Sequence, residues 1–336
     1  GGGSGDGVRW TACPALPAAD KRRHFVTKRQ GVQATSCSAG RGLGDGRQMR
    51  EHVVIVQADD RDRRRWHGNC RLPAGQDSAR FCAPPPSFYD ALPARIMKSR
   101  QLHVLHRPAS AARSAAPPLL FVHGGYVSAE CWDVFFLPWF SQRGFDCHAL
   151  DLSGHGISEG RRRLDSFGLD DYVDDLRQAA CDLPHPPIVI GHSMGTVVVE
   201  RYLEKEMAPA AILLSPVPPT GIFGATLSLA FSNPEFFVHQ AQAQRGEMSE
   251  ESLRSMRRVY YSPETTLADL CRFAPLFQAE SRRALLDLTM LGFRFAGRRP
   301  RLPMLVAGGE VDAVFPPATL SQTAARWQAE VAVIPG

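Results

Sequence analysis

Residues 191–195 read Gly-His-Ser-Met-Gly, and this pentapeptide constrains the chain more than any other segment. It follows Pro187-Ile188-Val189-Ile190, an apolar β-branched run suited to a buried strand. It precedes Thr196–Leu203, which reads as a helix. A G-x-S-x-G turn between strand and helix pushes its serine into a strained, exposed position. The flanking Gly191 and Gly195 are needed because so sharp a turn leaves no room for Cβ atoms. Ser193 is therefore the candidate nucleophile. The Met194 N–H, at the start of the helix, faces any negative charge that develops beside it. His192 is read as a turn-shaping residue whose ring points away from Ser193.

Three further segments belong with this turn. Pro118–Val122 is an apolar strand running into His123-Gly124-Gly125. The N–H of Gly125 is the candidate second donor to an oxyanion, and the His123 ring is expected to fix this loop by hydrogen bonds. Asp151-Leu-Ser-Gly-His-Gly-Ile-Ser158 follows the strand Cys147–Leu150. It reads as a tight loop at the carboxyl end of a parallel strand, where such sheets place ligands. Asp151, Ser153 and His155 are read as loop-shaping. The third segment, Leu302–Pro317, is a buried strand ending in Gly308-Gly309, with Asp312 as candidate triad acid. Glu310 competes for that role, its alternative being a solvated loop charge.

The order of elements predicts an α/β fold with a doubly wound, mostly parallel sheet. Strands are expected near 94–98, 101–106, 118–122, 145–150, 187–190, 211–215, 303–307 and 331–334. Helices are expected near 130–142, 168–181, 194–205 and 317–329. The early strand pair would add an antiparallel edge. Residues 217–300 are too long for a loop and predict a helical cap. The core is thereby divided into 87–216 and 301–336. Cap residues Ile222, Phe223, Leu227, Leu229, Phe231, Phe236 and Phe237 either line an apolar acyl cleft or pack the cap onto the sheet. The stretch 207–234 is uncharged, but its prolines and glycines argue against a membrane span.

From about residue 88 onward the chain resembles the α/β-hydrolase superfamily. It is most similar to the branch holding monoglyceride lipases, lysophospholipases and serine aminopeptidase-like hydrolases. His123-Gly124-Gly125, the loop 151–158, Gly191–Gly195 and Gly309-x-x-Asp312 carry the resemblance. It implies an α/β-hydrolase fold and cleavage of carboxylic esters through an acyl-enzyme on Ser193. Gly125 and Met194 would form the oxyanion hole, with Asp312 as acid and no metal or cofactor. An aminopeptidase or C–C bond hydrolase on the same fold, or a non-catalytic hydrolase-like binding protein, remains open. The resemblance also implies a histidine after the last strand, yet no histidine follows His239. The expectation is a chain that stops before a final loop and helix. Among the histidines present, His155 is the first candidate to substitute.

Composition adds limits. The eight cysteines are scattered without a C-x-x-C pair, which supports neither a zinc site nor a redox motif. Cys131, Cys147 and Cys181 are expected as small buried apolar residues, in a reducing, cytoplasmic setting. The net charge of +5 belongs to the leader, since residues 1–86 hold 15 Lys/Arg against 8 Asp/Glu. That segment is Gly-, Arg- and Pro-rich and reads as disordered. A nucleic-acid partner is not expected. The expected partner is a small ester with an apolar acyl group, with transient contact to lipid surfaces.

Overall fold

The computed structural model describes residues 99–335, apart from 111, 113, 246, 248, 294–296 and 298. The leader 1–86 and the strand expected over 94–98 lie outside the described residues. Among the described residues, seven strands form one sheet: β1 (Val104–Arg107), β2 (Leu119–Val122), β3 (Cys147–Leu150), β4 (Ile188–His192), β5 (Ala211–Leu214), β6 (Met304–Gly309) and β7 (Glu330–Ile334). Their spatial order is β1-β3-β2-β4-β5-β6-β7. Only β1 runs antiparallel, with His106 opposite His148, and it sits at the edge. The other pairings are parallel. The α/β class and mostly parallel sheet expected from the sequence are what the structure shows.

Alternation along the strands builds two cores. Leu120, Val122, Val189, Leu213 and Val306 point to one face of the sheet. Leu119, Phe121 and Ile190 point to the other. Every residue of β2 is buried, as a central parallel strand covered on both faces requires. On the second face lie α1 (Glu130–Asp133) and α2 (Phe136–Ser141), through Trp132 and Leu137. The first face carries α3 (Leu169–Cys181) and α4 (Met194–Leu203).

Among the described residues, 217–300 hold five α-helices: α5 (Phe223–Ser232), α6 (Phe236–Gln244), α7 (Glu250–Tyr260), α8 (Leu267–Phe273) and α9 (Arg282–Thr289). Ser249, Thr266 and Ser281 cap the last three by accepting from the N–H three residues on. Helix α10 (Pro317–Trp327) then returns to the first face. Among the described residues no helix is long and apolar enough to cross a membrane.

Three expectations change. The single helix over 130–142 is two short ones, because Pro138 has no N–H to give the Val134 carbonyl. The strand expected over 101–106 covers 104–107. Cys181 is exposed, not buried. Tyr172, Leu176, Ala179 and Ala180 form the inward stripe of α3, and the helical period turns Cys181 outward.

Candidate functional site

Ser193 sits between β4 and α4 with φ 49° and ψ −119°, a conformation that L-residues rarely adopt. Its backbone is pinned on both sides. The Ser193 N–H donates to Leu214 O at 3.0 Å, and its carbonyl accepts from Thr196 N–H at 2.9 Å. A Cβ on Gly195 would lie 2.5 Å from Val122 O, and one on Gly191 would lie 2.6 Å from Gly195 O. Helix and strands therefore approach as closely as only glycine permits. Val197, Val198 and Val199 are poor helix formers that remain helical because α4 is buried throughout.

The loop after β2 stands directly beside the serine. A Cβ on Gly124 would fall 3.1 Å from Ser193 Cβ. His123 is fully buried, with Nδ1 2.8 Å from Gly124 O and Nε2 accepting from Leu152 N–H at 3.2 Å. One ring nitrogen donates and the other accepts, which is a neutral ring. Burial lowers its pKa to about 4, in keeping with that state. Gly124 C=O and Gly125 N–H belong to one trans peptide. Holding the carbonyl toward His123 turns the Gly125 N–H the opposite way.

The loop 151–158 is held by a set of hydrogen bonds. Asp151 accepts from Ala129 N–H at 2.7 Å and Ile157 N–H at 3.2 Å, and its Oδ2 meets His103 Nδ1 at 2.8 Å. Ser153 donates from N–H and hydroxyl to Asp175, which Arg100 pairs at 2.7 Å. His155 is fully buried, with Nδ1 3.3 Å from Ser153 O and Nε2 3.0 Å from Glu280 Oε2. Both ring nitrogens are committed, and the ring does not border the cleft described next. This removes His155 as a substitute base. The interior network that holds it could not be seen along the sequence.

A cleft of about 630 Å³ opens over Ser193. The core contributes Gly125, Trp132, Ser193, Met194 and Asp312, and the cap contributes Ile222, Leu229, Phe236 and Phe237. The apolar cap residues thus divide. These four face the cleft or the core beneath it, whereas Phe223, Leu227 and Phe231 are 63%, 47% and 83% exposed. Asp312 follows β6 and accepts from the N–H groups of Val314 and Phe315, both at 2.8 Å. Glu310 is exposed and does not line the cleft. His192 does line it, packed edge-on to Trp132 with centroids 6.2 Å apart. It borders the same cleft as Ser193. Desolvation there lowers its proton affinity, and the Asp312 carboxylate partly offsets this.

The sequence reading passed over Glu280. It lies just before the α9 cap Ser281, in a segment read only as helix-like. Its carboxylate accepts from Tyr126 N–H at 3.3 Å, Tyr172 OH at 3.0 Å and Ser281 N–H at 2.7 Å, besides meeting His155. Burial alone would raise this carboxyl. The His155 ring and the hydrogen bonds outweigh that and hold it below its ordinary range. The available signal was weak: a histidine in a Gly-rich turn that needs a buried partner.

No metal was expected. Among the described residues, one group of ligand-type side chains converges, His106, Asp146 and His148 at the β1–β3 edge. His106 Nε2 is 2.7 Å from Asp146 Oδ1, and the two imidazoles stack with centroids 4.4 Å apart and planes within 4°.

A stretch of 111 residues is 37% identical to a non-heme chloroperoxidase of Burkholderia pyrrocinia, covering 31% of this chain and 38% of that protein. A stretch of 108 residues is 34% identical to a bifunctional esterase/perhydrolase of Acinetobacter calcoaceticus, covering 31% of this chain and 38% of that one. The chain thus spans well under half the length of the curated relatives it matches. Among solved structures, a bromoperoxidase from Bacillus anthracis superposes with a TM-score of 0.50 over 70% of this chain and 87% of its own, at 16% identity. That likeness speaks for the fold alone. The profile described as "Alpha/beta hydrolase family" matches residues 119–336, more than half of the chain. The chain belongs to the alpha/beta hydrolase family.

Proposed function

We propose that this protein is a serine hydrolase of carboxylic esters with apolar acyl groups, acting through an acyl-enzyme on Ser193. The observation that carries the reading is the strained Ser193 at the head of α4, on the floor of a largely apolar cleft. The Ser193 Oγ would attack the ester carbonyl as a histidine takes its proton. The Met194 and Gly125 N–H groups would receive the oxyanion, each donor being worth about 3–4 kcal/mol in comparable sites. The alcohol leaves, and water then resolves the acyl-enzyme. Asp312 would orient the histidine that the resemblance places after β7. A relative named as an esterase supports ester chemistry.

A second reading is a binding protein on the same scaffold. It is favoured by one observation: among the described residues, the histidine bordering the cleft is His192, the immediate neighbour of Ser193. Fluorophosphonate labelling with a p-nitrophenyl ester panel separates the two. The comparison takes this chain, the natural reading frame continued past Gly336, and Ser193→Ala of each. Labelling and turnover lost in Ser193→Ala establish the hydrolase. No labelling in the continued form leaves the binding scaffold. Turnover by this chain alone would make His192 the first histidine to replace.

A further inference from the structure

We propose that the Glu280 carboxylate is a positioning residue through which the cap holds the oxyanion loop in its working shape. This rests on the serine-hydrolase reading of the same cleft.

Tyr126 follows the two loop glycines and has φ 67°, in the left-handed region. A non-glycine residue stays there only when its surroundings hold it. One short cap segment does so from both sides. Glu280 Oε2 accepts the Tyr126 N–H, and Gln278 N–H donates to the Tyr126 carbonyl at 2.8 Å. A Cβ on Gly125 would lie 3.5 Å from the same Oε2, so the carboxylate lies against the peptide that fixes Gly125 ψ. The preceding peptide is fixed through Gly124 O by His123. Consecutive peptides flanking the Gly125 Cα are thus set by two buried side chains, one from the core and one from the cap.

The chemistry of the pair suits this task. The partners of Glu280 at Tyr126, Tyr172 and Ser281 are all donors, which a carboxylate alone can satisfy together. His155 Nε2 lies 3.0 Å from Glu280 Oε2, and its Nδ1 lies 3.3 Å from Ser153 O. A buried polar contact is weak evidence for stability, since apolar residues of similar volume often serve as well. What it supplies here is direction: a fixed acceptor at one backbone N–H of a strained turn.

The test compares wild type, Glu280→Met and Glu280→Gln in the full natural protein, with Ser193→Ala as the inert control. Glu280→Met keeps the length and removes every acceptor, and Glu280→Gln returns one oxygen without the charge. In Glu280→Met, amide hydrogen exchange at residues 123–127 should quicken at least about tenfold, with β4 and α3 unchanged. The kcat for p-nitrophenyl esters should fall by about 10- to 100-fold, as for a displaced oxyanion donor, while KM stays within about threefold. Glu280→Gln should lose at least about fivefold in kcat, and it decides the matter if Glu280→Met does not fold. Exchange or kcat within about twofold of wild type in the folded variant overturns this role. A wild type that neither turns over esters nor takes the label at Ser193 overturns the hydrolase reading and this role with it. An active, labelled wild type with an unaltered variant overturns this role alone.

Discussion

Glu280 Oε2 lies 3.0 Å from His155 Nε2, with both side chains fully buried and 125 residues between them in sequence. This pair joins the cap to the loop 151–158, and the neutral ring of His123 stacks obliquely 5.0 Å from His155. His123, His155 and Glu280 therefore lie together in the buried interior.

Their burial predicts loss of stability in acid. His123 has a folded pKa of about 4 against 6.5 in the unfolded chain, so the unfolded state binds more protons between those values. Its contribution is complete above pH 6.5 and lost as the pH falls toward 4. At about 1.4 kcal/mol per pKa unit this amounts to roughly 3 kcal/mol. Glu280, held below its ordinary range, acts in the same direction at lower pH: its share is present above the unfolded carboxyl value and fades as the pH drops through the folded one. Urea midpoints measured from pH 7.5 to 4 should decline, and His123→Gln should flatten the upper part of that decline. A flat wild-type profile would contradict the neutral His123.

The two candidate acids can be separated. Asp312 borders the cleft and Glu310 does not. In the full natural protein, Asp312→Asn should lower kcat by about 10³- to 10⁴-fold, as loss of a triad acid does elsewhere. Glu310→Gln should stay within about twofold. Steady-state kinetics on one short-chain ester decide between them, and the reverse ranking would reassign the acid.

Acyl length should be set by the cap wall. Leu229 is 5% exposed and lines the cleft over Ser193. Leu229→Trp fills part of that volume. Turnover of long-chain p-nitrophenyl esters should drop at least about tenfold relative to the acetate, whose kcat/KM should change little. Phe231→Ala, on the exposed face of α5, should leave the chain-length profile unchanged.

Two glycines should respond in opposite ways to one methyl group. Gly195→Ala would push Cβ to 2.5 Å from the Val122 carbonyl, where backbone must move, and should cost about 2–4 kcal/mol. Gly224, in helix α5, has nothing within 4 Å of a built Cβ. Gly224→Ala should add about 0.5–1 kcal/mol through helix propensity. Chemical denaturation of both variants measures the contrast.

Much of the fold was legible in the chain because its signals are local. Ile188–Ile190, Gly191, Ser193 and Gly195 determine a strand, a turn and a helix within a dozen residues, since steric exclusion at Cα acts between near neighbours. The apolar run Pro118–Val122 was legible as a buried strand for the same local reason. Tertiary structure alone decided the rest. Whether Leu229 or Phe231 faced the cleft depended on how α5 lay over the sheet, because both sit in one apolar, uncharged helix. The roles of His155 and Glu280 depended on a contact across 125 residues. A charged residue beside a capping serine looks solvated in sequence. Only the packed interior, by removing water from both partners at once, made it half of a buried histidine–carboxylate contact.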